Sequence, residues 1–329
     1  MKAKIAVSLL TGFLGSGKTT LLSRLLTQPE LANAVIIINE FGAVSIDHLI
    51  VANLSESVVE LKNGCLCCTI RTDLVMTLRD LFRQRQLGEI RPFDRVIVET
   101  SGLANPIPLL HTLMANPPLM QVYEVDSVVT VVDAVNAATT LPAHQTASDQ
   151  VALADLIVVS KQDIATPVEL AATEALLATL NPRALRYVAT DGNIASQQLF
   201  GRRLFQATLS MARHDHDTAD ATHAGHDHAA HHYASHVIVH PAPLSLAGTT
   251  VFLNRLVNEQ REEILRIKGI AGFREKGGRP AVIHAVQNKF YPLQWLSDWP
   301  DSDTSSRLVF IGRTLNTSRI NEQFAALSV

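Results

Sequence analysis

The chain has almost no cysteine: three among 329 residues, Cys65, Cys67 and Cys68, all within four positions. An odd, clustered set is no disulfide framework, and in a reducing compartment it points to metal or redox chemistry. Tryptophan (two) and tyrosine (four) are also scarce. No stretch approaches the roughly 20 consecutive apolar residues that a membrane-spanning helix needs, so no membrane partner is expected. Neither sign of charge dominates: 28 Lys and Arg stand against 31 Asp and Glu, a net charge of -3. That balance gives no reason to expect nucleic-acid binding. Lys2 and Lys4 precede an apolar run, but the run is short, lacks a small-x-small cleavage site, and leads into a glycine-rich loop. It reads as the first strand of a cytoplasmic protein rather than a secretion signal. What is left is an ordinary globular composition, 47% hydrophobic and 18% charged, with the length of about two domains.

The most informative stretch is Gly12-Phe13-Leu14-Gly15-Ser16-Gly17-Lys18-Thr19, followed by Thr20. It fits the G-x-x-x-x-G-K-[ST] phosphate-binding loop. Its flanks are those the mechanism needs. Ile5 to Leu10 is an apolar run of strand length, and Leu21, Leu22, Leu25 and Leu26 follow at helical spacing. Glycines turn backbone N–H groups toward phosphate, and the helix N-terminus adds its dipole and unpaired donors. Lys18 is expected to reach the β- and γ-phosphates, and Thr19 to ligate Mg²⁺.

Further strand ends carry polar residues. Ala34 to Asn39 is a continuous apolar run closed by Glu40-Phe41-Gly42, with Asp47 five residues on. Ligands gather at such carboxyl ends in open α/β sheets, although surface acids on their own are most often solvated. Val58-Val59-Glu60-Leu61 leads into Asn63-Gly64-Cys65-Leu66-Cys67-Cys68-Thr69. Three thiols in C-x-C-C spacing are close enough to bind one soft cation, Zn²⁺ or Cu(I), with carboxylate or imidazole completing a zinc shell. Burial as small apolar residues and a redox pair are the competing readings. Asp73 to Gln86 has helical spacing, and Phe93 to Glu99 is the next strand. It ends in Glu99-Thr100-Ser101-Gly102, the form of a Walker B element in which Glu99 holds Mg²⁺ through water and the Gly102 N–H senses the γ-phosphate. Ser127 to Val132 is a further strand. Leu153 to Val159 is another, ending in Ser160-Lys161-Gln162-Asp163. This resembles the N/T-K-x-D element, whose aspartate accepts the paired N–H donors of guanine while its lysine packs along the base. Strand-helix alternation of this kind predicts a doubly wound, mostly parallel α/β sheet.

Together the phosphate loop, Asn39-Glu40-Phe41-Gly42, Gly64-Cys65-Leu66-Cys67-Cys68, Glu99-Thr100-Ser101-Gly102 and Ser160-Lys161-Gln162-Asp163 occur in the order found in CobW-like P-loop GTPases, a family of zinc metallochaperones that the chain resembles. One departure is Ser160, where asparagine or threonine is commoner. The resemblance implies GTP hydrolysis, GTP and Mg²⁺ at the phosphate loop, and zinc or a similar transition metal at the cysteines. Glu40 is a candidate fourth ligand, and Asp47 a candidate for orienting the attacking water. The resemblance names no client protein, and it leaves room for a homodimer.

Beyond Leu180 a last strand is expected near Leu185 to Ala189, then a helix including Phe200 and Phe205. From Arg213 to Ser235 the composition collapses to His, Asp, Ala and Thr, with His214, His216, His223, His226, His228, His231 and His232. Such a segment cannot bury enough surface to offset its ordering entropy, so it reads as a linker, either a weak multi-site metal binder or a plain tether. The expected division is a GTPase domain over 1–212, this linker over 213–235, and a smaller α+β domain over 236–329. That last domain carries no phosphate loop, and Gly277-Gly278 marks a hairpin in it. Trp295 and Trp299 are either packed or contact anchors. Two other functions fit the same residues: a metal-storage protein with a structural nucleotide, and a nickel-insertion GTPase.

Overall fold

A computed structural model of the chain describes residues 4–39, 58–60, 68–201 and 233–327. The chain divides into two compact units, Met1–Leu177 with Ala184–Leu204, and Ala178–Arg183 with Phe205–Val329.

The first unit is built on a seven-stranded sheet, all of whose pairings are parallel. Its strands are β1 (Ile5–Thr11), β2 (Ala34–Asn39), β3 (Val58–Glu60), β4 (Arg95–Thr100), β5 (Tyr123–Asp133), β6 (Leu156–Ser160) and β7 (Leu185–Ala189). Their order across the sheet is β3-β2-β4-β1-β5-β6-β7. Runs such as Leu156-Ile157-Val158-Val159 are apolar without alternation because a parallel sheet in an α/β fold is covered on both faces. The helices are α1 (Lys18–Leu25), α2 (Cys68–Leu87), α3 (Ile107–Ala115), α4 (Pro117–Val122), α5 (Ala137–Ala143), α6 (Gln145–Leu153), α7 (Pro167–Leu180) and the short α8 (Ser196–Leu199). On α1, Leu21, Leu22 and Leu25 form one core with Leu10, Ile36, Val129 and Val158 of the sheet.

Three boundaries in this unit differ from the sequence expectation. β5 begins at Tyr123, not Ser127, because Asp126 is buried: Ser8 Oγ donates to it at 3.2 Å and Arg95 forms an ion pair with it. A carboxylate neutralised between strands hides a strand from a hydrophobicity pattern. α2 begins at Cys68, five residues before the expected start. The expected helix over Phe200 stops at Leu199, with Phe200 as its C-cap, and Phe205 lies outside the described residues.

The second unit is antiparallel. β8 (Tyr233–His240), β9 (Ile264–Phe273), β10 (Arg279–Val286), β11 (Lys289–Phe290) and β13 (Ser306–Arg313) lie in the order β11-β10-β9-β13-β8, and β12 (Gln294–Trp295) pairs with β10. β8 starts three residues before the expected domain boundary at 236. The hairpin at Gly277-Gly278 forms with both glycines left-handed, at φ of 64° and 81°. β10 and β11 are joined by a turn at Gln287, whose φ is 46°. Helices α9 (Leu246–Glu259) and α10 (Thr317–Ala325) pack Phe252, Leu256, Ile320 and Phe324 against Ile267, Ala271 and Phe310. Trp295 packs edge-on to Phe273 at 5.6 Å.

By strand alternation Arg266 and Lys268 occupy the other face of β9 from Ile267 and Ala271. His284 stands opposite Lys268 in register. All three are buried. Burial lowers Lys268 to about 7 and Arg266 to about 9. Burial, then the positive charges of Arg266 and Lys268, holds His284 well below the usual imidazole range.

Candidate nucleotide site

The strands around β1 end level with one another. Leu10 of β1 is beside Glu99 of β4, Glu99 is beside Ile38 of β2, and Ile38 is beside Glu60 of β3. The phosphate loop, the loop after Glu99, the segment carrying Glu40 and Asp47, and the segment carrying the cysteines therefore all leave one carboxyl edge of the sheet. β1 and its neighbours form the switch point of this sheet, where open α/β folds bind ligands.

The loop from Gly12 to Gly17 has the backbone its sequence demands. Gly12, Gly15 and Gly17 have φ of 144°, 70° and 93°, and Gly17 is the N-cap of α1. A Cβ on Gly12 would stand 2.3 Å from the Val131 carbonyl oxygen, so only glycine fits there. Lys18 is 8% exposed, and its Nζ donates to the carbonyls of Gly12 at 2.9 Å and Phe13 at 3.2 Å. Thr19 Oγ1 donates to Glu99 Oε1 at 3.2 Å, and Glu99 is 4% exposed. The hydroxyl and carboxylate expected to share one cation are thus already together, both oxygen donors of the kind Mg²⁺ requires. Gly102 packs against the phosphate loop: a Cβ there would stand 2.7 Å from the Leu14 nitrogen. Gln150, fully buried on α6, donates from Nε2 to the carbonyls of Gly102 and Ala104 at 3.3 and 3.0 Å.

Ser160 Oγ donates to the Ser16 carbonyl at 2.7 Å, with the Val132 carbonyl at 3.2 Å as the longer alternative. The hydroxyl that departs from the commoner residue thus ties the end of β6 to the phosphate loop. A recess of about 160 Å³ lies here, lined by Gly17, Thr20, Ser160, Lys161 and Asp163, and also by Ala189, Asp191 and Gly192. Ala189 ends β7, Asp191 and Gly192 come from the turn after it, and as lining residues all three escaped the sequence reading. Their only sequence signal is an Asp-Gly pair just after the last parallel strand. A second recess, about 180 Å³, is lined by Phe13, Leu14, Ser16, Asp133, Gln150 and Lys161 among others. At its rim Phe13 stacks on His144, ring centroids 4.6 Å apart.

Glu40, Asp47, Cys65, Cys67 and the histidine tract up to residue 232 lie outside the described residues, and Cys68 opens α2. Among the described residues, no cluster of three or more His, Cys, Asp or Glu is placed to hold a metal, and no helix is long and apolar enough to cross a membrane.

Residues 6–187 match the model of the CobW/HypB/UreG nucleotide-binding domain, and residues 233–328 that of the cobalamin synthesis protein CobW C-terminal domain. The chain belongs to the CobW/HypB/UreG family. It is a P-loop GTPase of that family. It is 33% identical to the zinc chaperone YjiA of Escherichia coli K12 over 98% of both chains. It is 34% identical to the zinc chaperone CobW of Pseudomonas aeruginosa over 98% of this chain and 91% of that one. The crystal structure of Zn(II)-bound YjiA GTPase superposes with a TM-score of 0.70 at 27% identity, covering 99% of each chain. A triple mutant of YjiA, with one glutamate and two cysteines changed to alanine, has also been crystallised with Zn(II) bound.

Proposed function

We propose that this protein is a cytoplasmic GTP-hydrolysing metallochaperone that takes up zinc at Cys65, Cys67 and Cys68, with Glu40 as an oxygen ligand, and passes it to a client metalloprotein. The observation that carries this reading is the level row of strand ends, Leu10, Glu99, Ile38 and Glu60. It starts the phosphate loop, the Glu99 loop and the cysteine segment from one edge of the sheet, the edge at which a γ-phosphate would be held.

The backbone N–H groups of Gly15 to Thr19 and the N-terminus of α1 cradle the phosphates, and Lys18 neutralises the β- and γ-oxygens. Thr19 and Glu99 would hold Mg²⁺, which would supply neutralisation of the phosphate charge. Water attacks the γ-phosphorus as the bond to the bridging oxygen breaks, and we assign Asp47 the orientation of that water. The Gly102 N–H follows the γ-phosphate, and its loop responds together with the segment from Glu40 to Asp47. Asp163 and Lys161 form the guanine site at the base recess. The histidine tract gathers zinc weakly for the thiol site.

Calorimetric titration of zinc into the protein with GTP and Mg²⁺, and separately with GDP, tests the coupling. A zinc affinity at least about fivefold different between the two states is expected, the lower end of ordinary coupling energies, and zinc must shift nucleotide affinity by the same factor. Equal affinities, or nucleotide binding without turnover above the spontaneous rate, would support a storage protein instead.

Guanine selectivity gives a separate check. Asp163→Asn loses two hydrogen bonds to a charged acceptor, an expected cost of about 2–4 kcal/mol in GTP binding with little change for ATP. Equal affinity of the unmodified protein for GTP and ATP would remove the guanine site from the reading.

A further inference from the structure

We propose that Asp133, at the end of β5, is a positioning residue for nucleoside binding: it anchors Lys161 so that the lysine stem forms a fixed wall of the base recess. The inference rests on the guanine-site reading above and extends it to a residue of a different strand.

Lys161 Nζ is 2.8 Å from Asp133 Oδ2. Lys161 lines both recesses, whereas Asp133 lines only the one bounded by Phe13 and Leu14. The ammonium is thus drawn to the side away from Asp163, and the four-carbon stem is left to face the base. The anchor is itself rigid. Asp133 Oδ1 accepts from the Val135 N–H at 2.9 Å, and Oδ2 accepts from Asn136 Nδ2 at 2.7 Å. The backbone repeats the tie, since the Ala134 N–H donates to the Ser160 carbonyl at 3.0 Å. Burial raises the Asp133 carboxyl, but the hydrogen bonds from Lys161, Asn136 and Val135 outweigh it and hold the group below the usual carboxylate range. Asp133 therefore stays charged at neutral pH. Lys161 has a left-handed backbone, φ 58°, so its stem leaves the chain in a direction that a relaxed lysine would not favour. A long side chain held in advance spares the nucleotide the entropy of ordering it.

The test is a double-mutant cycle read by GTP and ITP affinity. Asp133→Asn keeps an oxygen for the Val135 N–H and removes the charge. It is expected to weaken GTP and ITP alike by about three- to tenfold, the effect of freeing one long side chain, with kcat within about twofold. ITP lacks the exocyclic amine that Asp163 reads, so the GTP:ITP ratio should depend on Asp163 and not on Asp133. Asp133→Glu is expected to recover most of the affinity. Lys161→Ala should weaken both nucleotides, and the double variant should be no worse than Lys161→Ala alone. Additive losses, or an unchanged affinity in Asp133→Asn beside a weakened Lys161→Ala, would overturn the inference while leaving the guanine site standing. An unaffected Lys161→Ala would overturn the guanine-site reading itself. Thermal melts of each variant separate loss of fold from loss of contact.

Discussion

Lys18→Ala is expected to abolish GTP turnover, lowering kcat by at least about a thousandfold, the scale on which electrostatic stabilisers of a transferring phosphoryl group act. Lys18 is the first residue of α1 behind a left-handed glycine cap. Its ammonium already points into the loop, bonded to the carbonyls of Gly12 and Phe13. Alanine is the better helix former at that position, so the variant should keep α1. The two lost hydrogen bonds to loop carbonyls should cost only about 1–3 kcal/mol of stability. Phosphate release under saturating GTP measures the effect, and a thermal melt confirms the fold. A variant that turns over GTP at the original rate would mean that this loop does not carry the reaction.

The second large effect is expected at the thiols. Replacing Cys65, Cys67 and Cys68 with serine should remove the tightest zinc site, raise the zinc Kd by several orders of magnitude, and erase any effect of zinc on GTP turnover. Serine matches the thiol in size but not in softness, and its hydroxyl does not ionise near neutral pH. Measured without zinc, GTP affinity should stay within about twofold, because the coupling acts only through the bound metal. Zinc binds the deprotonated ligands, so binding should release protons and weaken as pH falls. The measurement is competition with a zinc chelator, which reports the tightest site rather than total zinc taken up by histidines and surface carboxylates. Unchanged competition would place the chaperone site elsewhere.

Much of the nucleotide site was legible because its chemistry fixes residue types at fixed spacing. Gly12, Gly17, Lys18 and Thr19 fall at the fixed spacing of a phosphate loop, Glu99 lies at the end of an apolar strand, and Asp163 follows the end of another by three residues. The structure brings Thr19 and Glu99 within 3.2 Å across 80 residues of sequence. Less legible were features whose partners are remote in the chain. Asp191 and Gly192 line the recess beside Asp163 only because β7 lies beside β6, a pairing that no local pattern encodes. Asp126 disguised four residues of β5 because its charge is cancelled by Arg95 from the strand two positions away. Arg266 and Lys268 alternate with apolar neighbours on β9 and His284 lies opposite on β10, yet all three are buried. Alternation identifies two faces but not whether the polar one meets water. Trp295 showed the reverse: its indole packs on Phe273, the ordinary fate of an aromatic ring.

The contact between Gly102 and Leu14 is one of shape, with no room for even a methyl group between the two backbones. Transmission through it needs no charge on either side. Ion-paired relays weaken as salt rises, because mobile ions screen them within about 10 Å at 0.1 M. Hard-core repulsion is not screened at all. Whatever displacement the loss of a γ-phosphate imposes on the loop at Gly102 therefore reaches Leu14 undiminished by ionic strength. Coupling between nucleotide state and the phosphate loop should accordingly persist in concentrated salt, where steering of the nucleotide toward Lys18 has faded.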